Sequence, residues 1–217
     1  MKPLADCRLY TFVDAAYMAG RPAAELARQL CAGGADLVQV RAKGLPADDV
    51  RRWVDEVLPV TQAAGVWCVL NDHAELGREL GVPCVHLGQE DFFEERQLVD
   101  APALWAPEGP RIPALGLSSH APEQALRAVA AHADYVAVGP VFPTGTKPGR
   151  AAVTLDYVRW AAGHLTLPWF AIGGIDLHNL DAVLEAGARR ICVVSAILRA
   201  ADVTAATQAF RNRLDAA

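Results

Sequence analysis

The amino-acid sequence predicts a single (β/α)8 TIM barrel, and three observations support this fold class. Short segments rich in β-branched and other apolar residues alternate with longer helical patterns along the chain. These short segments are continuously apolar, which is typical of parallel strands that are covered on both faces. The chain has 217 residues, and one such barrel takes about 200–250 residues. We therefore expect one domain over residues 1–217.

Eight apolar segments are predicted as strands, at residues 9–13, 37–40, 67–70, 84–87, 114–117, 135–138, 169–172 and 191–194. A helix is expected after each strand, near residues 22–33, 46–64, 73–81, 93–99, 121–132, 154–163, 177–187 and 202–214. Pro22 stands where the first helix begins, and Gly33, Gly65 and Gly187 stand where helices end. An open, doubly wound sheet is the alternative, but the first strand lacks the Gly-x-Gly-x-x-Gly turn of that fold.

Three segments share one local pattern, in which a helix end and a tight turn precede a buried strand. Residues 34–40 read Gly-Ala-Asp-Leu-Val-Gln-Val, residues 133–138 read Ala-Asp-Tyr-Val-Ala-Val, and residues 187–194 read Gly-Ala-Arg-Arg-Ile-Cys-Val-Val. A repeated strand–helix unit requires this pattern. Residues 102–113 are proline-rich and indicate a lengthened loop before the fifth strand.

Composition excludes several classes of protein. With 53% hydrophobic and 21% charged residues, the chain is typical of globular proteins rather than disordered or fibrous ones. Its net charge of -5 argues against broad binding to nucleic acid or anionic membranes, which needs a basic face. The five cysteines form no Cys-x-x-Cys pair, so neither disulfides nor structural zinc are expected. Because no apolar run approaches the ~18 residues of a membrane span, we expect a cytoplasmic protein.

Polar residues follow the predicted strands at their carboxyl ends. In a (β/α)8 barrel these ends meet at one rim, and active sites lie there. The segments after strands two to eight are Gln39-Val40-Arg41-Ala42-Lys43, Asn71-Asp72, Gly88-Gln89-Glu90-Asp91, Ser118-Ser119-His120, residues 139–147, Gly173-Gly174 and Val194-Ser195. The opposite ends carry ordinary turn residues. The carboxyl-end rim is therefore the predicted active site.

Positive charge is concentrated at this rim. Of the 20 basic residues only Lys2, Lys43 and Lys147 are lysines, and the last two lie on the rim with Arg41. Three cations that converge suit a pyrophosphate or two phosphates, because such groups take charge-assisted hydrogen bonds from several sides. The alternative is that Arg41 and Lys43 are solvated loop charges.

Two further features of the rim suit phosphate chemistry, and each has a plainer alternative. Asp72 and Asp91 follow adjacent strands and suit one shared Mg²⁺, but an aspartate after a strand also commonly caps the next helix. Gly174, Val194 and Ser195 lie at the last two strand ends, where backbone amides bind phosphate in many barrels. A Gly-Gly pair is equally a tight turn.

The histidines form no metal-ligand pattern. His86 lies within the fourth strand and is interpreted as a hydrogen-bonded core histidine, whereas His164 and His178 are expected at the surface. His120 lies on the rim, where it can donate or accept a proton.

These residues resemble one known family, thiamine-phosphate synthase, collinearly from Leu9 to about Ile197. The segments that carry the resemblance are Gln39-Val40-Arg41-x-Lys43, Asn71-Asp72, His86-Leu87-Gly88-Gln89-Glu90-Asp91, Gly116-Leu117-Ser118-x-His120, Thr144-x-Thr146-Lys147, Ile172-Gly173-Gly174-Ile175 and Val194-Ser195-Ala196-Ile197. The family joins 4-amino-5-hydroxymethyl-2-methylpyrimidine pyrophosphate to 4-methyl-5-(2-phosphonooxyethyl)thiazole, which releases pyrophosphate and thiamine phosphate. The chain departs from the family after Lys147, where the usual proline-glycine-leucine element is missing.

The resemblance implies roles for individual residues. The pyrimidine pyrophosphate would be held by Gln39, Arg41, Lys43, Asn71, Ser118 and Lys147, among which Arg41, Lys43, Ser118 and Lys147 are the catalytic candidates. The thiazole phosphate would be held by Thr144, Thr146, Gly174, Val194 and Ser195. Asp72 and Asp91 would bind the cofactor, Mg²⁺. The expected partners are the two small phosphorylated substrates, with neither nucleic acid nor membrane, and a homodimer is left open.

Two other functions fit the same residues. A thiazole tautomerase of this fold uses a rim histidine, and His120 stands at a matching position. Lys43, both aspartates and Thr144-x-Thr146-Lys147 favour the synthase, because the tautomerase has no pyrophosphate to neutralise. A non-catalytic thiazole- or thiamine-phosphate binding protein is the other alternative, and it would not need both halves of the site.

Overall fold

The eight predicted strands close into a parallel barrel. The computed structural model describes residues 1–100, 113–143 and 152–217. Its strands are β1 (Leu9–Asp14), β2 (Leu37–Arg41), β3 (Trp67–Asn71), β4 (Cys84–Leu87), β5 (Ala114–Ser119), β6 (Tyr135–Val138), β7 (Trp169–Ile172) and β8 (Ile191–Cys192). They pair in parallel in chain order, and β8 pairs with β1. The barrel prediction is therefore confirmed, and the open doubly wound sheet is wrong.

Helices connect the strands on the outside of the barrel. They are α1 (Ala23–Ala32), α2 (Ala47–Ala63), α3 (Ala74–Glu79), α4 (Pro122–Ala130), α5 (Thr154–His164), α6 (Leu180–Glu185), α7 (Ser195–Leu198) and α8 (Val203–Asp215). Short 3-10 turns at Leu4–Asp6 and Ala15–Tyr17 flank β1, and a π-helical segment at Glu90–Glu95 follows β4. Within the described ranges, no helix is long and apolar enough to cross a membrane.

Three predicted boundaries were wrong. The helix expected near 93–99 is instead the π-helical segment, which begins directly after β4 because the Asp91 carboxylate accepts the Gly88 N–H at 2.9 Å. Helix α6 begins three residues later than predicted, because the Asp176 side chain accepts the N–H groups of His178 and Asn179 and holds them in a turn. The last strand ends at Cys192, because Val194 already leads into α7.

The barrel interior is filled largely by apolar and aromatic side chains. Cys68, Cys84 and Cys192 are buried core residues. Burial raises the pKa of the Cys68 thiol to about 12, so this side chain stays neutral and behaves as a small hydrophobe. His164 and His178 are exposed, as predicted.

The repeated sequence pattern closes the amino-end rim of the barrel. The Asp36 carboxylate accepts the N–H groups of Arg8 at 2.6 Å and of Leu9 at 3.0 Å, where β1 begins. The Asp134 carboxylate accepts the Leu115 N–H at 2.7 Å, near the start of β5. An aspartate before one strand thus holds the first amides of the preceding strand.

Candidate active site

A pocket that is partly open to solvent lies at the carboxyl-end rim. It is lined by Tyr10, Phe12, Gln39, Arg41, Asn71, His86, Ser118, His120, Ala137, Gly139, Pro140, Ile172, Gly173, Gly174, Ile175, Cys192, Val194 and Ser195. The predicted substrate residues in this lining are Gln39, Arg41, Asn71, Ser118, Gly174, Val194 and Ser195. Residues from β2, β3, β5, β7 and β8 therefore meet at one rim, as the sequence predicts.

The other predicted residues are not in this lining. Lys43 is exposed at the rim, and Asp72 and Asp91 are half-buried. Thr144, Thr146 and Lys147 lie outside the described residues, as does most of the proline-rich 102–113 loop. The convergence of Arg41, Lys43 and Lys147 therefore stays a prediction.

Arg41 is held by an aspartate that the sequence analysis missed. Asp14 is the last residue of β1 and is only 1% exposed. Its carboxylate lies 2.9 Å from the Arg41 guanidinium and also accepts the Ala16 N–H at 2.9 Å. The pair orients the arginine at the rim of the pocket, so Arg41 is not a solvated loop charge. The signal was available, because Asp14 stands at a strand end like the other rim residues.

Asp72 and Asp91 follow adjacent strands, as expected, and neither caps a following helix. His73 rather than Asp72 precedes α3, and no side chain caps that helix. Asp72 has a left-handed backbone with φ of 65°. Its N–H donates to the carbonyl of His86 in the neighbouring strand β4 at 3.0 Å. The Asp91 carboxylate bonds backward, to Gly88.

The donor chemistry of these two aspartates fits magnesium. Mg²⁺ prefers oxygen ligands and commonly takes one or two carboxylates, with water and phosphate in the remaining positions. Among the described residues, no group of three or more His, Cys, Asp or Glu side chains is placed to hold a metal. Asp72 and Asp91 therefore suit an ion that a phosphorylated substrate helps to bind, rather than a closed protein cage.

The end of β7 needs two glycines for steric reasons. Gly173 and Gly174 have φ values of 102° and 65°, which side-chain-bearing residues rarely adopt. A Cβ atom on Gly173 would lie 2.5 Å from the Pro140 Cα, and one on Gly174 would lie 2.8 Å from the Pro143 carbonyl oxygen. The pair is therefore a tight turn and, at the same time, a wall of the pocket beside Ser195.

The two histidines that line the pocket, His86 and His120, each make a specific hydrogen bond. His86 is a buried core histidine, as predicted: its Nδ1 lies 3.0 Å from the Tyr135 hydroxyl and its Nε2 lies 3.0 Å from the Ser118 hydroxyl. His120 uses Nδ1 toward the Gly139 carbonyl. Because a carbonyl only accepts, His120 Nδ1 carries a proton.

Gln89 fixes the main chain of the site. Its side-chain amide donates to the Ser118 carbonyl at 2.6 Å. Gln89 is buried just after β4, and Ser118 is near the end of β5. This bond keeps the Ser118 backbone in place against the neighbouring strand.

The chain matches a known family in sequence and fold. The thiamine monophosphate synthase family model matches residues 9–197. The chain belongs to this family. Its members are transferases, and thiamine-phosphate synthesis is the function that the family and the relatives below support.

Individual relatives agree with this assignment. A thiamine-phosphate synthase of Thermus thermophilus is 50% identical over 184 residues, which is 84% of either chain. One of Acidothermus cellulolyticus is 44% identical over 218 residues and covers 99% of this chain and 98% of its own. Among solved structures, thiamine phosphate pyrophosphorylase from Pyrococcus furiosus superimposes with a TM-score of 0.85 at 27% identity, over 99% of this chain and 98% of that one.

Proposed function

We propose that this chain joins 4-amino-5-hydroxymethyl-2-methylpyrimidine pyrophosphate to 4-methyl-5-(2-phosphonooxyethyl)thiazole and releases pyrophosphate and thiamine phosphate. One observation carries the proposal. A single rim pocket contains residues of both predicted half-sites, with Gln39, Arg41 and Ser118 for one substrate and Gly174 and Ser195 for the other. A reaction that joins two phosphorylated molecules needs both to lie in one pocket.

The predicted residues divide between the two substrates. The pyrimidine pyrophosphate is assigned to Gln39, Arg41, Lys43, Asn71, Ser118 and Lys147. The thiazole phosphate is assigned to Thr144, Thr146, Gly174, Val194 and Ser195. Asp14 orients the Arg41 guanidinium before any substrate binds. A guanidinium held in this way loses little further conformational entropy when it binds an anion.

We assign Asp72 and Asp91 to Mg²⁺. When bound, the ion supplies positive charge to the pyrophosphate. The hydrogen bond from the Gly88 N–H orients the Asp91 carboxylate. The left-handed backbone of Asp72 sets the direction in which its side chain leaves the main chain. Arg41, Lys43 and Lys147 add positive charge to the same leaving group.

The bond between the pyrimidine methylene carbon and the pyrophosphate oxygen breaks first in the proposed reaction. The electron-rich aminopyrimidine stabilises the methylene cation, and the thiazole nitrogen then adds to that carbon. This dissociative route needs no protein nucleophile. The protein contributes charge stabilisation of the leaving pyrophosphate and the positioning of the two rings.

One observation favours a second function, the thiazole tautomerase. His120 lines the pocket, and its Nδ1–H donates to the Gly139 carbonyl. A histidine held at the rim of a pocket can donate or accept a proton. Asp72, Asp91 and Lys43 have no purpose in that reaction, which lacks a pyrophosphate.

The test is a product assay with purified protein, Mg²⁺ and both phosphorylated precursors. Equal amounts of thiamine phosphate and pyrophosphate, with formation of both stopped by EDTA and restored by excess Mg²⁺, are the expected result. Isomerisation of a thiazole carboxylate phosphate without either product would establish the tautomerase. Binding of the thiazole phosphate without turnover would establish a binding protein. Cytoplasmic location and a homodimer stay predictions.

A further inference from the structure

A row of five hydrogen-bonded side chains lies inside the barrel beneath the pocket. It begins at Gln39, whose amide donates to the Tyr10 hydroxyl. The Tyr10 hydroxyl lies 3.0 Å from the Tyr135 hydroxyl, which lies 3.0 Å from His86 Nδ1. His86 Nε2 lies 3.0 Å from the Ser118 hydroxyl. Gln39, Tyr10, His86 and Ser118 line the pocket. The two ends of the row, Gln39 and Ser118, have proposed roles, whereas Tyr10, Tyr135 and His86 have none.

The three middle side chains of this row carry polar groups that are buried, and burial of a polar group costs free energy. Tyr10 is 1% exposed, Tyr135 0% and His86 7%. Barrel interiors of this fold are mostly filled by branched apolar residues, which need no hydrogen-bond partners. A buried hydroxyl or imidazole is stable only when it is paired. The row is fully paired, so it specifies one arrangement of its members.

The neighbouring residues hold both tyrosine rings in place. The Tyr10 and Tyr135 rings each pack edge-on against Phe170, with centroids 5.4 and 5.5 Å apart. Gly116 makes room for Tyr135, because a Cβ atom there would lie 2.0 Å from the tyrosine Cζ. The rings are thus positioned by packing, and the hydroxyl groups are left to order the row.

The donor at one end sets a direction that every other bond of the row can follow. Because the Gln39 amide nitrogen only donates, Tyr10 accepts from it and gives its own hydrogen to Tyr135. In the same direction Tyr135 donates to His86 Nδ1, and the ring then carries its hydrogen on Nε2. That N–H donates to the Ser118 oxygen. Burial raises the pKa of both tyrosines well above 10, so each keeps the hydrogen that this order requires.

We propose that Tyr10, Tyr135 and His86 are positioning residues that make Ser118 a hydrogen-bond donor toward the pocket. Ser118 accepts from His86 Nε2, so its own hydrogen is directed to a ligand acceptor atom. The preferred ligand group is therefore an acceptor such as a phosphate oxygen or a ring nitrogen. The benefit to catalysis rests on the proposed function, where the acceptor belongs to the pyrimidine pyrophosphate. The direction of the row does not rest on it.

The direction is tested by NMR of the ligand-free protein with ¹⁵N-labelled histidine. Long-range ¹H–¹⁵N spectra distinguish the two neutral tautomers, and a His86→Asn variant assigns the signals. The expected result is the Nε2–H tautomer for His86. The Nδ1–H tautomer would make His86 the donor to Tyr135 and overturn the proposal. This measurement needs no substrate, so its outcome is independent of whether the chain makes thiamine phosphate.

The consequence for turnover is tested with Tyr135→Phe. This change removes the donor to His86 and keeps the packed ring, so we expect kcat to fall about tenfold, the size of one lost hydrogen bond. In a Ser118→Ala background the same change should have no further effect, because the row acts through Ser118. Additive losses of kcat would contradict that link.

Tyr157→Phe is the matched control. Tyr157 is also buried, and its hydroxyl lies 2.8 Å from both the Ser119 hydroxyl and the Ala121 carbonyl, away from the row. Its loss should lower stability as much as that of the Tyr135 hydroxyl while kcat and the His86 tautomer stay unchanged. An equal loss of kcat in both variants would show a structural effect only and overturn the proposal.

Discussion

Aspartates lie at both rims of the barrel, and the two rims differ in what the carboxylates contact. At the amino-end rim, Asp36 accepts two main-chain N–H groups and pairs with Lys2 at 2.6 Å and Arg211 at 3.0 Å. At the carboxyl-end rim, Asp91 accepts one N–H group, and the Asp72 carboxylate bonds to no residue that the structure describes. The Asp36 carboxylate is thus satisfied internally, whereas Asp72 and Asp91 keep oxygen atoms for ligands.

This difference separates stability from function along one repeated unit. An aspartate before a strand holds the amino-end rim, and an aspartate after a strand lies at the carboxyl-end rim. Asp14 combines both uses, because it caps a 3-10 turn and orients Arg41. Variants at the two rims should therefore have opposite effects on turnover and on the free energy of unfolding.

The largest effect is expected for Asp91→Asn. The asparagine still accepts the Gly88 N–H but lacks the charge that the proposed Mg²⁺ site needs, so turnover should fall on the order of 100-fold. The free energy of unfolding should change little. The measurement is turnover at increasing Mg²⁺ concentration, with the exposed neighbour Glu94→Gln as the control. An unchanged turnover would remove Asp91 from the metal site.

The reverse effect is expected for Asp36→Asn. Loss of the charge weakens two ion pairs at a residue that is 9% exposed, so the free energy of unfolding should fall by about 3 kcal/mol. Urea unfolding measures it, and kcat should stay unchanged. Asp181→Asn is the control, because it removes an exposed pair with Arg213 and should cost under about 1 kcal/mol. A large loss of kcat in Asp36→Asn would contradict the division between the rims.

An intermediate effect is expected for Asp14→Asn. The Arg41 guanidinium loses its charged partner and its fixed orientation, so KM for the pyrimidine pyrophosphate should rise about tenfold. The asparagine oxygen can still accept the Ala16 N–H, which limits the loss of stability. Steady-state kinetics with each substrate varied in turn measures the effect. A rise confined to KM for the thiazole phosphate would place Arg41 with the other substrate.

The fold was readable from sequence because its signal is local. Each buried strand is a continuous apolar run, so the predicted strands match the observed ones within one or two residues at each end. The segment after β4 was predicted wrongly, because its course depends on a hydrogen bond from the Gly88 N–H to the Asp91 carboxylate. Helix signals in the sequence do not include such a bond.

The site was only partly readable. Gln39 and Ser118 stand at strand ends and were found by position. The contact between the hydroxyls of Tyr10 and Tyr135 joins residues that are 125 positions apart. No local pattern shows which inward side chains of a barrel meet, so this part of the site needed the structure.

The smallest effect concerns the barrel's buried phenols at high pH. Burial raises the pKa of Tyr157 to about 12, from an ordinary value of 10.0. The unfolded chain therefore loses this proton first, and the stabilisation is complete below pH 10 and is lost as pH rises toward 12. Urea unfolding from pH 9 to 11.5 should show a decline that is shallower in Tyr157→Phe, by about 1.4 kcal/mol per pH unit. Identical declines would contradict this shift.

The most direct test of the account is a crystal structure of the chain with Mg²⁺, thiamine phosphate and pyrophosphate. We predict both products in the carboxyl-end pocket, with pyrophosphate near Arg41, the thiamine phosphate group beside Gly174 and Ser195, and the metal at Asp72 and Asp91. Products bound at the Asp36 rim, or pyrophosphate in the pocket without either aspartate near a metal, would contradict the division of roles between the two rims.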